Sequence, residues 1–182
     1  DMGSPYGEIT QTVIKGYGAT SSTPIDPTTN PNYAVHLWTD GTYKFLRDTL
    51  ITQQQSDPTG LIDGGVGLFN DGGDVSVENT TVNGLEYPAY IGLLHRNYTS
   101  TGNVMFVDNS EVYTCWEPLC ATAFTLTDAT YPVVTVYFSS TLLSGGPVVP
   151  IPNFQCMWVT DENYNGFGWP AMGPIPPSVI CP

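Results

Sequence analysis

Positive charge is what this sequence has least of. Lys15, Lys44, Arg47 and Arg96 are its only permanent cations, set against 17 acids for a net charge of −13. A nucleic-acid binder neutralises phosphates with clustered lysine and arginine, and four scattered residues cannot do so. The same shortage excludes attraction to an anionic membrane surface. Charge of either sign is sparse, at 12% of residues, about half the usual share of roughly 25%. Thr, Ser, Asn, Gln and Tyr must therefore build most of the surface, as is common outside the cell. No apolar run approaches the roughly 20 residues a membrane-spanning helix requires. No basic-then-apolar leader follows Asp1, so an exported chain would have shed its signal ahead of that residue.

Catalytic signatures are missing as well. The chain has no Gly-x-Ser-x-Gly elbow, no His-Glu-x-x-His pair and no Gly-x-x-x-x-Gly-Lys loop, the patterns that mark a strained serine nucleophile, a zinc site and a phosphate cradle. Its histidines are His36 and His95 alone. His36 shares a strand face with Trp38 by period-two geometry, where an imidazole serves as a base, a ligand or an ordinary strand residue. His95 and Arg96 should close a strand at a sheet rim. The expectation is no enzyme, no catalytic residue and no resident cofactor. Paired carboxylates suited to a secreted hydrolase are a matter of three dimensions and stay open.

What is present points to an exported protein. Cys115, Cys120, Cys156 and Cys181 allow three pairings. Cys115–Cys120 closing a short loop and Cys156–Cys181 pinning the C-terminal tail are favoured over a zinc site, for which no Cys-x-x-Cys pair exists. Asn79-Thr80-Thr81 and Asn97-Tyr98-Thr99 are N-glycosylation acceptors. Both features fit an oxidising, extracellular compartment. Asn70-Asp71-Gly72-Gly73-Asp74, with Asp63 upstream, offers oxygen ligands on a Gly-rich loop. Asp71, Asp74 and Asp63 are thus Ca²⁺ candidates, although the same residues make an ordinary turn.

Short apolar stretches alternate with turn signals every 8 to 12 residues, which reads as all-β. Asp40-Gly41, Asn83-Gly84 and Asp108-Asn109-Ser110 read as hairpin tips. The fold expected is an antiparallel β-sandwich, Ig-like or jelly-roll-like, with an N-terminal extended arm and a Pro-rich C-terminal tail. A short helix near Arg47 to Gln54 competes with a strand, because Tyr43, Leu46 and Leu50 recur at helical spacing. No repeat of fixed period is visible. Residues 1–19 form the arm, 20–32 a Pro/Thr/Ser-rich linker, and 33–182 the body with its tail at 165–182.

The arm carries the functional expectation. A strand from Glu8 to Tyr17, bearing Ile9, Gln11, Val13, Ile14 and Tyr17, can add to a neighbour's open sheet edge. Head-to-tail contacts of that kind do not close and give filaments. The chain then reads as a secreted, cell-surface fibre subunit whose partner is itself. The alternative is a carbohydrate-binding or adhesive module. Trp116 and Trp169, in loops, are its sugar-stacking candidates, whereas Trp38 and Trp158 lie in apolar strands and should be core.

Overall fold

Apolar residues at every second position do form strands, but each strand finds its partner about one full circuit away along the chain. The computed structural model describes residues 6–17, 32–38, 43–54, 65–82, 91–97, 103–114, 121–126, 134–146, 148–149, 153–161, 163–167 and 181. A first coil holds β1 (Tyr6–Thr10), β2 (Val13–Tyr17) and β3 (Asn32–Trp38). The second holds β4 (Tyr43–Arg47), β5 (Leu50–Gln54) and β6 (Gly65–Asp71). The third holds β7 (Asp74–Glu78), β8 (Thr81–Val82) and β9 (Ile91–Arg96). The fourth is β10 (Asn103–Asp108), β11 (Glu111–Tyr113) and β12 (Ala121–Leu126), and the fifth β13 (Val134–Ser139), β14 (Leu142–Ser144) and β15 (Val148–Val149). A last turn comprises β16 (Phe154–Met157), β17 (Val159–Asp161) and β18 (Gly166–Phe167).

Strands three apart in sequence pair in parallel. The orders are β1-β4-β7-β10-β13-β16 in sheet A, β2-β5-β8-β11-β14-β17 with β18 beyond in sheet B, and β3-β6-β9-β12-β15 in sheet C. Among the described strands only β18 runs antiparallel, folding back on β17. Three parallel ladders around one axis make a parallel β-helix. The antiparallel Ig-like or jelly-roll sandwich is overturned by this topology. Parallel partners require a long connection, and here the other two sides of the coil supply it. Asp108-Asn109-Ser110 is therefore no hairpin tip; it turns the chain from sheet A into sheet B.

The core is a set of inward rows, one residue per coil. Ile9, Leu46, Val77, Val107, Phe138 and Cys156 follow one another in register across sheet A. Ile14, Ile51, Val82, Val112 and Leu143 do so across sheet B. Val35, Leu68, Leu93, Ala123 and Val148 complete the interior from sheet C. All of these are buried except Ile9 and Ile14, which are half-buried and pack on the same cluster. Each coil thus hides its apolar face only against its neighbours, the energetic logic of a solenoid. Gly92 shows how close the walls come: a Cβ there would sit 2.6 Å from the Thr122 carbonyl oxygen and from a Val112 methyl.

The N-terminal segment is the first coil of its own helix. The single strand expected from Glu8 to Tyr17 is two, broken at Gln11-Thr12, and they pair in parallel with β4 and β5. Ile9 and Ile14 face the chain's own core, Val13 is exposed, Gln11 makes the corner and Tyr17 ends β2. The segment near Arg47 to Gln54 is strand, not helix: β4 ends at Arg47 and β5 begins at Leu50. Most of the 20–32 linker and of the 165–182 tail lies outside the described residues, but Cys181 is placed. It is disulfide-bonded to Cys156, with the two Cα atoms 5.4 Å apart. Cys181 is thereby tied to the end of the sheet A row, the pairing favoured above among the three possible.

Candidate functional site

The corner between sheets A and B is built the same way in every coil, and one departure from that rule marks a site. At Gln11, Asp48, Asn79, Asn109 and Ser140 the backbone turns left-handed, with φ between 45° and 49°. Asn and Asp tolerate this conformation because a short polar side chain compensates locally. The next residue is Thr12, Thr49, Thr80, Ser110 or Thr141. Its hydroxyl donates back to the carbonyl two residues earlier, at 2.7–2.9 Å. Backbone bonds continue through the bend, for example from Asn79 N to Asp108 O at 3.2 Å and from Glu111 N to Thr80 O at 3.0 Å. Outside, Asn79 Nδ2 donates to Asp48 Oδ1 at 3.2 Å and Asn109 Nδ2 donates to Asn79 Oδ1. The corner is a polar ladder along the helix.

Trp158 occupies the sixth such corner, at φ 55°. A bulky aromatic in this region is a conformational outlier that costs about 1–3 kcal/mol. The ring does not recover that cost by burial, because Trp158 is 44% exposed. Beside it runs an open groove of about 570 Å³, lined among others by Asn109, Glu111, Ser140, Leu142 and Thr160. Tyr113, two residues on from Glu111 in β11, donates its hydroxyl to Glu111 Oε2 at 3.1 Å. Burial and then the Glu111 carboxylate raise the Tyr113 phenol above its usual range. One aromatic face, one side-chain amide, several hydroxyls and a single carboxylate can hold a polyhydroxylated ligand by stacking and hydrogen bonding.

A second polar constellation lies on sheet C. Arg96 grips Asp71 with two bonds, Nε to Oδ1 at 2.8 Å and an Nη to Oδ2 at 2.6 Å. His36 Nε2 meets the same Oδ2 at 3.3 Å. Burial pulls the Asp71 carboxyl upward, but the bonds from His36 and Arg96 outweigh it and hold the group below the usual carboxylate range. The imidazole of His36 stacks on Phe69 at 4.9 Å and meets Tyr33 at 4.4 Å, while the Arg96 guanidinium covers Phe69 at 5.1 Å. Asp71 is thus fully engaged as an anion in a buried charge-assisted network. This is chemistry that locks three strands together, β3, β6 and β9.

The structure distributes the residues singled out from sequence as follows. His36, Asp71 and Arg96 come together, which their sequence positions did not reveal. Asp74 instead accepts a bond from Val104 N at 2.9 Å, and Asp63 lies outside the described residues. Among the described residues no group of three or more His, Cys, Asp and Glu is arranged to hold a metal. Asn79 is exposed on the corner ladder, whereas Asn97 is buried at 1%. Cys115, Cys120, Trp116 and Trp169 are outside the described residues. Trp38 and Trp158, expected in the core, are 53% and 44% exposed. Both read as core from their apolar neighbours; Trp158 is turned outward by its place at a left-handed corner, whereas Trp38, following buried Leu37 in β3, takes the outward face by alternation. Among the described residues no helix is long and apolar enough to cross a membrane. No protein-family model, no curated protein and no solved structure matches the chain.

Proposed function

We propose that this chain is an extracellular glycan-binding module, with its site in the groove beside Trp158. The observation that carries this reading is the exposed indole at a strained corner where five other coils place Gln, Asp, Asn or Ser. Strain retained without burial is characteristic of binding positions. The partners around the ring are uncharged except for Glu111, and the chain carries a net charge of −13. That field repels acidic sugars, so the ligand is a neutral oligosaccharide. The Cys156–Cys181 disulfide supports placement in an oxidising, extracellular setting. A filament built by donating the N-terminal arm has lost its motive, since β1 and β2 are bonded to β4 and β5 of the same chain.

Screening on immobilised neutral glycans, followed by titration of the best ligand, tests the reading. Trp158→Ala should weaken binding at least tenfold, equivalent to about 1.4 kcal/mol, and Glu111→Gln should weaken it less. Binding that is unaltered in Trp158→Ala, or confined to acidic glycans, rules the groove out as the site.

A further inference from the structure

The fold treats the two sequons, Asn79-Thr80-Thr81 and Asn97-Tyr98-Thr99, in opposite ways. Asn97 is 1% exposed, so a sugar on its amide would have to displace the packing around it. Asn79 is exposed at its left-handed corner, with φ 47°.

The place of Asn79 on the corner ladder is specific. Glu78, Asp108, Ser139 and Met157 are successive register partners in sheet A. The residues that follow them, Asn79, Asn109, Ser140 and Trp158, therefore stand on successive rungs of one corner. Asn109, Ser140 and Trp158 all line the groove. Asn79 is the rung just before it, and its Oδ1 accepts a bond from Asn109 Nδ2. Three strand spacings of about 4.8 Å each separate Asn79 from Trp158 along the ladder.

We propose that Asn79, and not Asn97, carries an N-linked glycan that lies in the Trp158 groove as a tethered ligand, an inference that rests on the groove's being a site for neutral sugars. The donor is a lipid-diphosphate oligosaccharide of the export pathway. Asn79 Nδ2 forms a bond to the anomeric carbon C1 as the C1–O bond to the diphosphate breaks. The lipid diphosphate departs with the electron pair, and Nδ2 sheds one proton. The resulting secondary amide holds its substituent trans to Cβ. That sets the first sugar on the Oδ1 side, where Asn109 stands. One N–H remains for Asp48 Oδ1, which Nδ2 meets at 3.2 Å. The core sugars of such a glycan, N-acetylglucosamine and mannose, are neutral, and a chain of several rings spans the rungs to the indole. Tethering gives an effective concentration on the order of millimolar, so even a weak groove fills with its own sugar.

The full chain, secreted from a cell that makes neutral oligomannose glycans, provides the test. Glycopeptide mass spectrometry should find sugar on Asn79 and none on Asn97. Endoglycosidase trimming to the first N-acetylglucosamine should raise hydroxyl-radical oxidation of the Trp158 indole severalfold. It should also tighten binding of an added mannose oligosaccharide about tenfold, as removal of a millimolar tethered competitor requires. Asn79→Gln should behave like the trimmed chain. A bare Asn79, a sugar on Asn97 of the folded protein, or Trp158 oxidation unmoved by trimming overturns the proposal. Equal binding by intact and trimmed chains also overturns it, yet leaves the groove standing as a glycan site. A trimmed chain without affinity for any neutral glycan removes both.

Discussion

Trp158 poses a conflict between conformation and use. The left-handed corner suits Asn better than any β-branched or aromatic residue. Trp158→Asn should therefore raise stability by about 1 kcal/mol while abolishing glycan binding. A higher urea midpoint together with lost affinity is the expected pair of results; a lower midpoint would mean that the ring packs rather than binds. His95 poses a different conflict. Burial drives its imidazole down from 6.5 to about 4, against the carbonyls of Asn103 and Asn70. The unfolded chain accepts a proton that the folded one resists, so the contribution is full above pH 6.5 and is lost as pH falls toward 4. The loss is on the order of 3 kcal/mol. Asp71, held low by His36 and Arg96, weakens the fold only in more acidic solution than this window. Melting followed between pH 7 and 4 should show the decline, and His95→Gln should flatten it.

At the scale of the element, the corner rather than the strand distinguishes this chain. Ser110 receives the backbone N–H of Thr80 at 3.1 Å and donates to Asp108 O at 2.7 Å, in a buried position. Ser110→Ala leaves the Thr80 N–H without its acceptor, which should cost about 1–3 kcal/mol. Chemical denaturation reads that loss, and hydrogen exchange should place it at the β8 and β11 corner. Strand positions were largely legible. Tyr33 to Thr39, Thr42 to Leu46, Val104 to Val107 and Val133 to Phe138 read as strands from their β-branched and aromatic content and the turn signals between them, and coincide with β3, β4, β10 and β13 within a residue or so. β6 escaped notice because Gly65, Gly67 and Asn70 interrupt its apolar pattern. The Asp108-Asn109-Ser110 turn misled because Asn-Ser serves a left-handed corner as readily as a tight reversal; Asp40-Gly41 and Asn83-Gly84 lie outside the described residues.

Across the whole molecule, coils hold one another and the disulfide secures the last. Cys156–Cys181 closes a separation of 25 residues, worth about 3 kcal/mol in the chain-entropy account. Cys181→Ser should lower stability by that order, and the loss should appear first as reduced exchange protection in β16 and β17, since solenoid stability passes between neighbours. Unchanged protection there would assign the bond no part in holding the end of the helix. The repeat behind this architecture was in view but unread. Ile9 and Ile14, Leu46 and Ile51, Val77 and Val82, Val107 and Val112, and Phe138 and Leu143 each bracket a corner with the same spacing. The corner residues Gln11, Asp48, Asn79, Asn109, Ser140 and Trp158 recur at unequal intervals, so a search for a fixed period passes over them.

Composition and local pattern determined the β character and the scarcity of basic residues. Those properties depend on residue type and near neighbours, which a one-dimensional reading contains. Whether two strands meet side by side in opposite directions or a circuit apart in the same direction does not depend on them. Alternation and turn chemistry are identical in both cases, and the difference lies in which distant rows of Val, Leu and Ile fit together. The tertiary structure alone decided that, and with it the outward ring of Trp158 and the meeting of His36 with Asp71 and Arg96.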